Sequence, residues 1–330
     1  MSFRRLFAPH AVYGYRFIPN LKARVPSDAG PYLLRSNALG FRSNREFEAQ
    51  KAPDRFRILV FGDSFTAADG VRNEDRYTDL LEASLPGTEV FNFAVSGTGT
   101  DQQYLIFREE AAGLDHDLLV IAVLVENIRR ITARYRPYLD ETGATVYYAK
   151  PYFELGPTGD LTLRGTPVPA ELFRAEDLPE GDRSHVDQGG RFAALRSVAN
   201  AVGAREILQR ITAYQPVSEY DRSDDPAWLL MSAILRQWIA EARVPVVVFP
   251  IPLYQHVEET ASAASYQARF AELADPPRVV VHDPLADLTS YDPATRRSFR
   301  FERDIHPTPA SHRALAKSLA AAVLPLIPRS

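Results

Sequence analysis

The chain has 330 residues, 45% of them hydrophobic and 24% charged, with a formal net charge of −4. This length suits one large α/β domain with an insertion, or two small domains, and the slightly acidic balance argues against a nucleic-acid-binding surface. There are no cysteines, which excludes disulfides, thiol nucleophiles and thiolate metal sites.

Residues 1–50 are rich in Arg, Pro and Asn and read as an irregular lead-in. The opening Met1-Ser-Phe-Arg-Arg-Leu-Phe is basic, but no apolar h-region or small-residue cleavage site follows it, and no apolar run is long enough to span a bilayer. The expectation is therefore a cytoplasmic protein without a membrane span.

The first core strand is expected at Phe56–Phe61, and it stops on Gly62-Asp63-Ser64. A sharp turn at the end of an apolar strand lifts a serine hydroxyl out of the sheet. As a nucleophile, such a serine needs a base, an acid to orient the base, and donors facing the oxyanion. A helix is expected over Glu74–Leu85, and a second strand over Glu89–Ala94 leads into Ser96-Gly97-Thr-Gly99. A glycine there lets the backbone approach a substrate and offer an N–H. A helix over Asp101–Ala112 and a third strand over Leu118–Val125 follow, the strand running into Glu126-Asn127, where a side-chain amide can donate.

Residues 129–225 read as a long insertion. Within it, Thr145–Leu155 and Asp160–Leu163 flank Gly156-Pro-Thr-Gly159 and suggest a hairpin, while the polar stretch Glu176–Gly190 reads as a mobile loop. The alternating pattern then resumes with a helix at Ala227–Ala242, strands at Val244–Pro250 and Arg278–His282, and a closing helix at Pro309–Leu326. Just before that helix, Asp304-Ile305-His306-Pro307 places a carboxylate and a base on one short loop. Several strands lack polar alternation, as parallel strands covered on both faces do. The fold class is therefore α/β, a three-layer sandwich around a five-stranded parallel sheet.

Taken singly, each block has a plainer explanation. Gly97 suits a turn, Asn127 and Asp304 suit caps, and His306 is one of seven histidines. Their order at successive strand ends is what points to one site. His282, His256 and His312 read as packing or pocket-lining groups, and no His/Asp/Glu set has convincing metal-ligand spacing, so neither metal nor cofactor is assigned. Arg129, Arg130, Arg134 and Arg136 follow Asn127. They form either a solvated basic face or a rim that holds an anionic group, Arg129 and Arg130 being nearest the expected mouth.

These blocks resemble the SGNH hydrolases, or GDSL-type esterases and lipases, over roughly residues 56–127 and 244–326. The family's Gly-Asp-Ser turn, glycine, asparagine and Asp/His pair match Ser64, Gly97, Asn127 and Asp304/His306. Arg35-Ser-Asn-Ala-Leu-Gly-Phe-Arg42 is similar to a bacterial branch often found in polysaccharide or envelope pathways. The third block departs from the usual Gly-x-Asn-Asp, reading Val125-Glu126-Asn127-Ile128. The last is Asp-x-His, where Asp-x-x-His is common, so Asp304 or another acid orients His306. The resemblance implies a flavodoxin-like sheet. It also implies a serine esterase in which Ser64 attacks, His306 carries the proton, and Ser64 N–H, Gly97 N–H and Asn127 hold the oxyanion. The substrate would be a small-molecule or glycan ester carrying a small acyl group such as acetyl. Transfer of that acyl to a sugar hydroxyl and a catalytically silent binding module are the alternatives. The sequence leaves the oligomeric state open.

Overall fold

The computed structural model describes residues 5–140, 142–186 and 215–328. Its centre is a five-stranded sheet of β1 (Phe56–Phe61), β2 (Thr88–Asn92), β3 (Leu118–Leu124), β4 (Val246–Ile251) and β5 (Val279–Val281). All neighbours pair in parallel, in the spatial order β2-β1-β3-β4-β5. Each strand lies within two residues of its expected ends, because its buried apolar run is legible without tertiary information.

Register sorts the side chains into two layers. Phe61, Ile121 and Val248 are in register and share a face, so Phe249 points to the other. Phe61 meets Trp238 at 5.2 Å between ring centroids, on the side covered by α3 (Thr100–Ile106) and α5 (Pro226–Glu241). Phe249 meets Tyr77 at 6.1 Å, on the side covered by α2 (Tyr77–Ser84) and α6 (Pro309–Val323). Two short helices, α1 (Ser64–Ala67) and α4 (Asn127–Arg130), start at the carboxyl edge of the sheet. Asp225 and Thr308 cap α5 and α6 through their side chains, and a proline opens each helix where its missing N–H costs nothing. Among the described residues no helix is long and apolar enough to cross a membrane.

Three sequence expectations need correction. The lead-in is not irregular: Phe7–His10 pairs with Gly14–Phe17, and Lys22–Val25 with Tyr32–Arg35. Tyr13, Tyr15, Phe41 and Phe47 pack into the same core as the sheet. These strands are four residues long and find their partners only within the lead-in, so sequence periodicity could not reveal them. The stretch Thr145–Leu155 is two strands. Thr145–Ala149 pairs with Tyr135–Leu139 and Leu172–Phe173, whereas Tyr152–Leu155 turns at Gly156-Pro-Thr-Gly159 to pair with Leu161–Arg164. The break falls at Lys150-Pro151, where proline cannot donate to a ladder and the Lys150 ammonium turns inward to Asp101 and the Ala133 carbonyl. The stretch expected to be a mobile loop forms 3-10 turns at Ala175–Asp177 and Glu180–His185, held by Arg134 to Asp182 at 2.6 Å. Residues 187–190 of that stretch, and 191–214 of the insertion, lie outside the described residues.

Candidate active site

β1 delivers its chain directly into α1. A Cβ on Gly62 would stand 2.2 Å from Thr66 Oγ1, so only glycine lets the helix fold back this tightly on the strand end. Asp63 is the N-cap: its backbone is extended and its Oδ1 accepts the Phe65 N–H at 3.0 Å. Ser64 is therefore the first helical residue, where a backbone N–H has no acceptor inside the helix. The helix ends after one turn at Ala68, whose φ of 66° is left-handed, and Asp69 N–H closes it on Ser64 O at 3.0 Å. Arg42, fully buried, donates to the carbonyls of Ala67, Ala68 and Val71 and to Asn73, satisfying acceptors that the short helix leaves open.

The last block adjoins this turn. The Phe65 ring lies 5.3 Å from the His306 ring. Asp304 Oδ1 is 2.6 Å from His306 Nδ1 and also accepts the His306 backbone N–H at 3.2 Å. One carboxylate oxygen thus fixes both the ring and its own loop, and leaves Nε2 as the ring nitrogen that Asp304 does not engage. Burial works against the His306 imidazolium. The Asp304 hydrogen bond and the negative charges of Asp69, Asp304 and Asp63 outweigh it and lift the pKa above the usual histidine value. Burial likewise opposes charge on Asp304, but the hydrogen bond and charge of His306 hold its pKa below the ordinary carboxylate value.

Gly97 has a φ of 82°, a conformation that favours glycine. A Cβ there would come within 2.7 Å of the Tyr138 hydroxyl and 2.8 Å of the Tyr15 hydroxyl. Those two hydroxyls are 2.7 Å apart, and Tyr15 also donates to Ser96 O at 3.2 Å. Lead-in and insertion therefore meet over this glycine. Asn127 opens α4 and is completely buried, with neither amide atom hydrogen-bonded. An amide in that state carries a desolvation penalty that a polar ligand atom would relieve.

The two arginines expected at the mouth each face a carboxylate of this chain. Arg129 Nε contacts Glu219 Oε1 at 2.5 Å and its Nη2 donates to Pro216 O at 2.8 Å. Arg130 Nη1 contacts Asp63 Oδ2 at 2.6 Å and Thr98 O at 3.3 Å. Of the other histidines, His282 is bonded to Ser318 Oγ at 2.8 Å beside Asp287, which accepts from the same hydroxyl at 2.6 Å. His256 and His312 are buried, and burial lowers them to about 4 and about 3. Among the described residues no group of three His, Asp or Glu side chains is placed to hold a metal ion.

Sequence reasoning missed Asp69. It accepts a hydrogen bond from Ser96 Oγ at 2.6 Å, and its carboxylate acts on His306; its own pKa is raised, chiefly by burial. Ala67-Ala68-Asp69-Gly70 contains no signal for this, because the left-handed turn at Ala68 is what returns Asp69 to the site.

The sequence model of the GDSL-like lipase/acylhydrolase family matches residues 60–314, a span that takes in all four blocks. The chain belongs to that family. Solved structures similar to this family member include a lipase from a goat rumen metagenome, with 13% identity, 81% of this chain and 97% of that one covered, and a TM-score of 0.44. A lipase/acylhydrolase from Enterococcus faecalis has 12% identity, coverage of 83% and 99%, and a TM-score of 0.41. A member of the lipolytic G-D-S-L family from Veillonella parvula has 12% identity, coverage of 82% and 98%, and a TM-score of 0.40. No curated protein matches the chain.

Proposed function

We propose that this acylhydrolase-family protein is a serine esterase that removes a small acyl group, such as acetyl, from a carbohydrate ester. The observation that carries the reading is the 2.6 Å bond between Asp304 and His306 Nδ1, on a loop whose imidazole packs against the residue next to Ser64. In this reading His306 Nε2 takes the Ser64 proton as Oγ attacks the ester carbonyl. Asp304 holds the tautomer and stabilises the imidazolium. The oxyanion takes hydrogen bonds from the Ser64 N–H, the Gly97 N–H and the Asn127 amide, whose buried and unpartnered state supports that role. The imidazolium protonates the leaving alcohol, and water then resolves the acyl-serine by the same relay in reverse.

The substrate side rests on the tyrosines. Tyr15 and Tyr138 close over Gly97, which favours a short acyl group, and partly exposed tyrosines suit sugar rings by stacking and hydroxyl contacts. The test is a fluorophosphonate reaction followed by peptide mass spectrometry, run beside hydrolysis of acetylated oligosaccharides. Labelling of Ser64 and release of acetate are expected. Absence of labelling in folded protein rejects the serine mechanism. Acetyl appearing on an added sugar acceptor instead of as acetate assigns transfer rather than hydrolysis.

A further inference from the structure

Three chain segments have to meet for the proposed oxyanion site, and one arginine belongs to one of them while its guanidinium bonds the other two. Arg130 is the last residue of α4 and Asn127 the first, so the arginine shares a single helical turn with the asparagine. Its Nη1 donates to Asp63 Oδ2 at 2.6 Å and to Thr98 O at 3.3 Å. Asp63 is the cap that holds the Phe65 N–H, immediately beyond Ser64, and Thr98 follows Gly97. The fit is close: a Cβ on Gly99 would lie 3.2 Å from Arg130 Cβ. Asp63 has no exposed side-chain surface, and Arg130 is 13% exposed. A buried carboxylate is costly unless its partner is well placed, so this pair holds one geometry rather than many.

We propose that Arg130 is a positioning residue that fixes the nucleophile turn, the glycine loop and Asn127 in register, so that three donors converge on one oxygen. The proposal rests on the serine-esterase reading above. It also gives a reason for the third block to lack the usual acid after its asparagine: here the segment is anchored three residues later, by a cation reaching back to the first block. Arg130 does not touch the reacting atoms in this proposal; it acts through Asp63, Thr98 and Asn127.

The test uses the full chain and two readouts: turnover of p-nitrophenyl acetate, and the rate of Ser64 labelling by a fluorophosphonate, whose phosphoryl oxygen occupies the oxyanion position. Arg130→Met is expected to lower kcat and the labelling rate about 10–100-fold, with KM changed by less than about twofold. Arg130→Lys, which keeps a charged donor for Asp63 but not the guanidinium, is expected to recover only part of that loss, leaving labelling about three- to tenfold below wild type. In an Asn127→Ala background Arg130→Met should cost at least about threefold less than in wild type, because one of the three donors it positions is already gone. An equal factor in both backgrounds, or a labelling rate within about twofold of wild type, overturns the proposal. Should Arg130→Met fail to fold, Arg130→Lys decides. A loss of about three- to tenfold in labelling at unchanged melting temperature supports positioning, and wild-type labelling overturns it. Wild-type protein that does not label at all rejects the esterase reading, and this proposal with it.

Discussion

Asp304 Oδ1 serves His306 twice, at 2.6 Å to the ring Nδ1 and at 3.2 Å to the backbone N–H two residues on. With only one residue between them, the carboxylate reaches forward over its own turn to both groups. His306→Ala should lower kcat/KM about 10²–10⁴-fold, the usual worth of a positioned acid–base group. His282→Ala should leave the rate within about threefold, because His282 is held by Ser318 and Asp287 in a polar bridge on α6. Parallel kinetics on the two variants check this, and reversed effects would misassign the base.

The pH profile follows from the carboxylates around His306. In the proposed mechanism His306 must be neutral to accept the Ser64 proton, so kcat/KM should fall as pH drops through the His306 pKa. That pKa is raised, which places the acid limb above the ordinary histidine value near 6.5. Asp69 is one of the charges that raise it. Asp69→Asn removes that charge, stabilises the imidazolium less, and should shift the acid limb to lower pH. A limb that stays in place or moves upward contradicts this assignment.

Asn127 offers a separation of stability from activity. Its amide is buried with no hydrogen bond to lose. Asn127→Ala should therefore leave the melting temperature unchanged or raise it, while kcat falls about 10²–10³-fold. Thermal melts beside p-nitrophenyl acetate kinetics check both halves. A large drop in melting temperature would mean that the amide has a structural partner in solution.

Gly97→Ala should be destabilising by about 1–2 kcal/mol from its left-handed φ alone, and more from the contact with two hydroxyls. Tyr138→Phe removes the nearer of those oxygens and should recover part of the loss, which denaturant titration of the single and double variants measures. No recovery would show that the contact with the Tyr138 hydroxyl adds nothing to the loss.

Arg42→Met should cost about 3 kcal/mol or more, because the buried carbonyls of Ala67 and Val71 lose their donor together, Ala68 O keeps only the Val71 N–H, and Met supplies none. Urea denaturation reads the loss directly. A change below about 1 kcal/mol would mean that water replaces the guanidinium without penalty.

The five core strands, the four longer helices near Glu74–Leu85, Asp101–Ala112, Ala227–Ala242 and Pro309–Leu326, and the four blocks were legible from the sequence because each is a local pattern, whereas the short helices between the fourth strand and the last helix were not. A buried parallel strand is an unbroken apolar run, an amphipathic helix has its own period, and Gly62-Asp63-Ser64 or Asp304-Ile-His306 lies within a few residues of chain. The lead-in strands, the break at Lys150-Pro151 and the partners of the arginines were not legible, because each depends on residues far apart. Arg130 lies 67 positions from Asp63, and Arg129 lies 90 from Glu219. From sequence alone the four arginines after Asn127 share one charge and one neighbourhood, and nothing distinguishes a rim from a brace. The pairing of β1 with β3 decides it, since that adjacency places α4 beside the Gly62-Asp63-Ser64 turn, where a buried carboxylate needs a counter-charge. Asp69 follows the same rule: its place at the site is set by one left-handed residue and by the loop that brings His306 across, not by the identity of its neighbours in sequence.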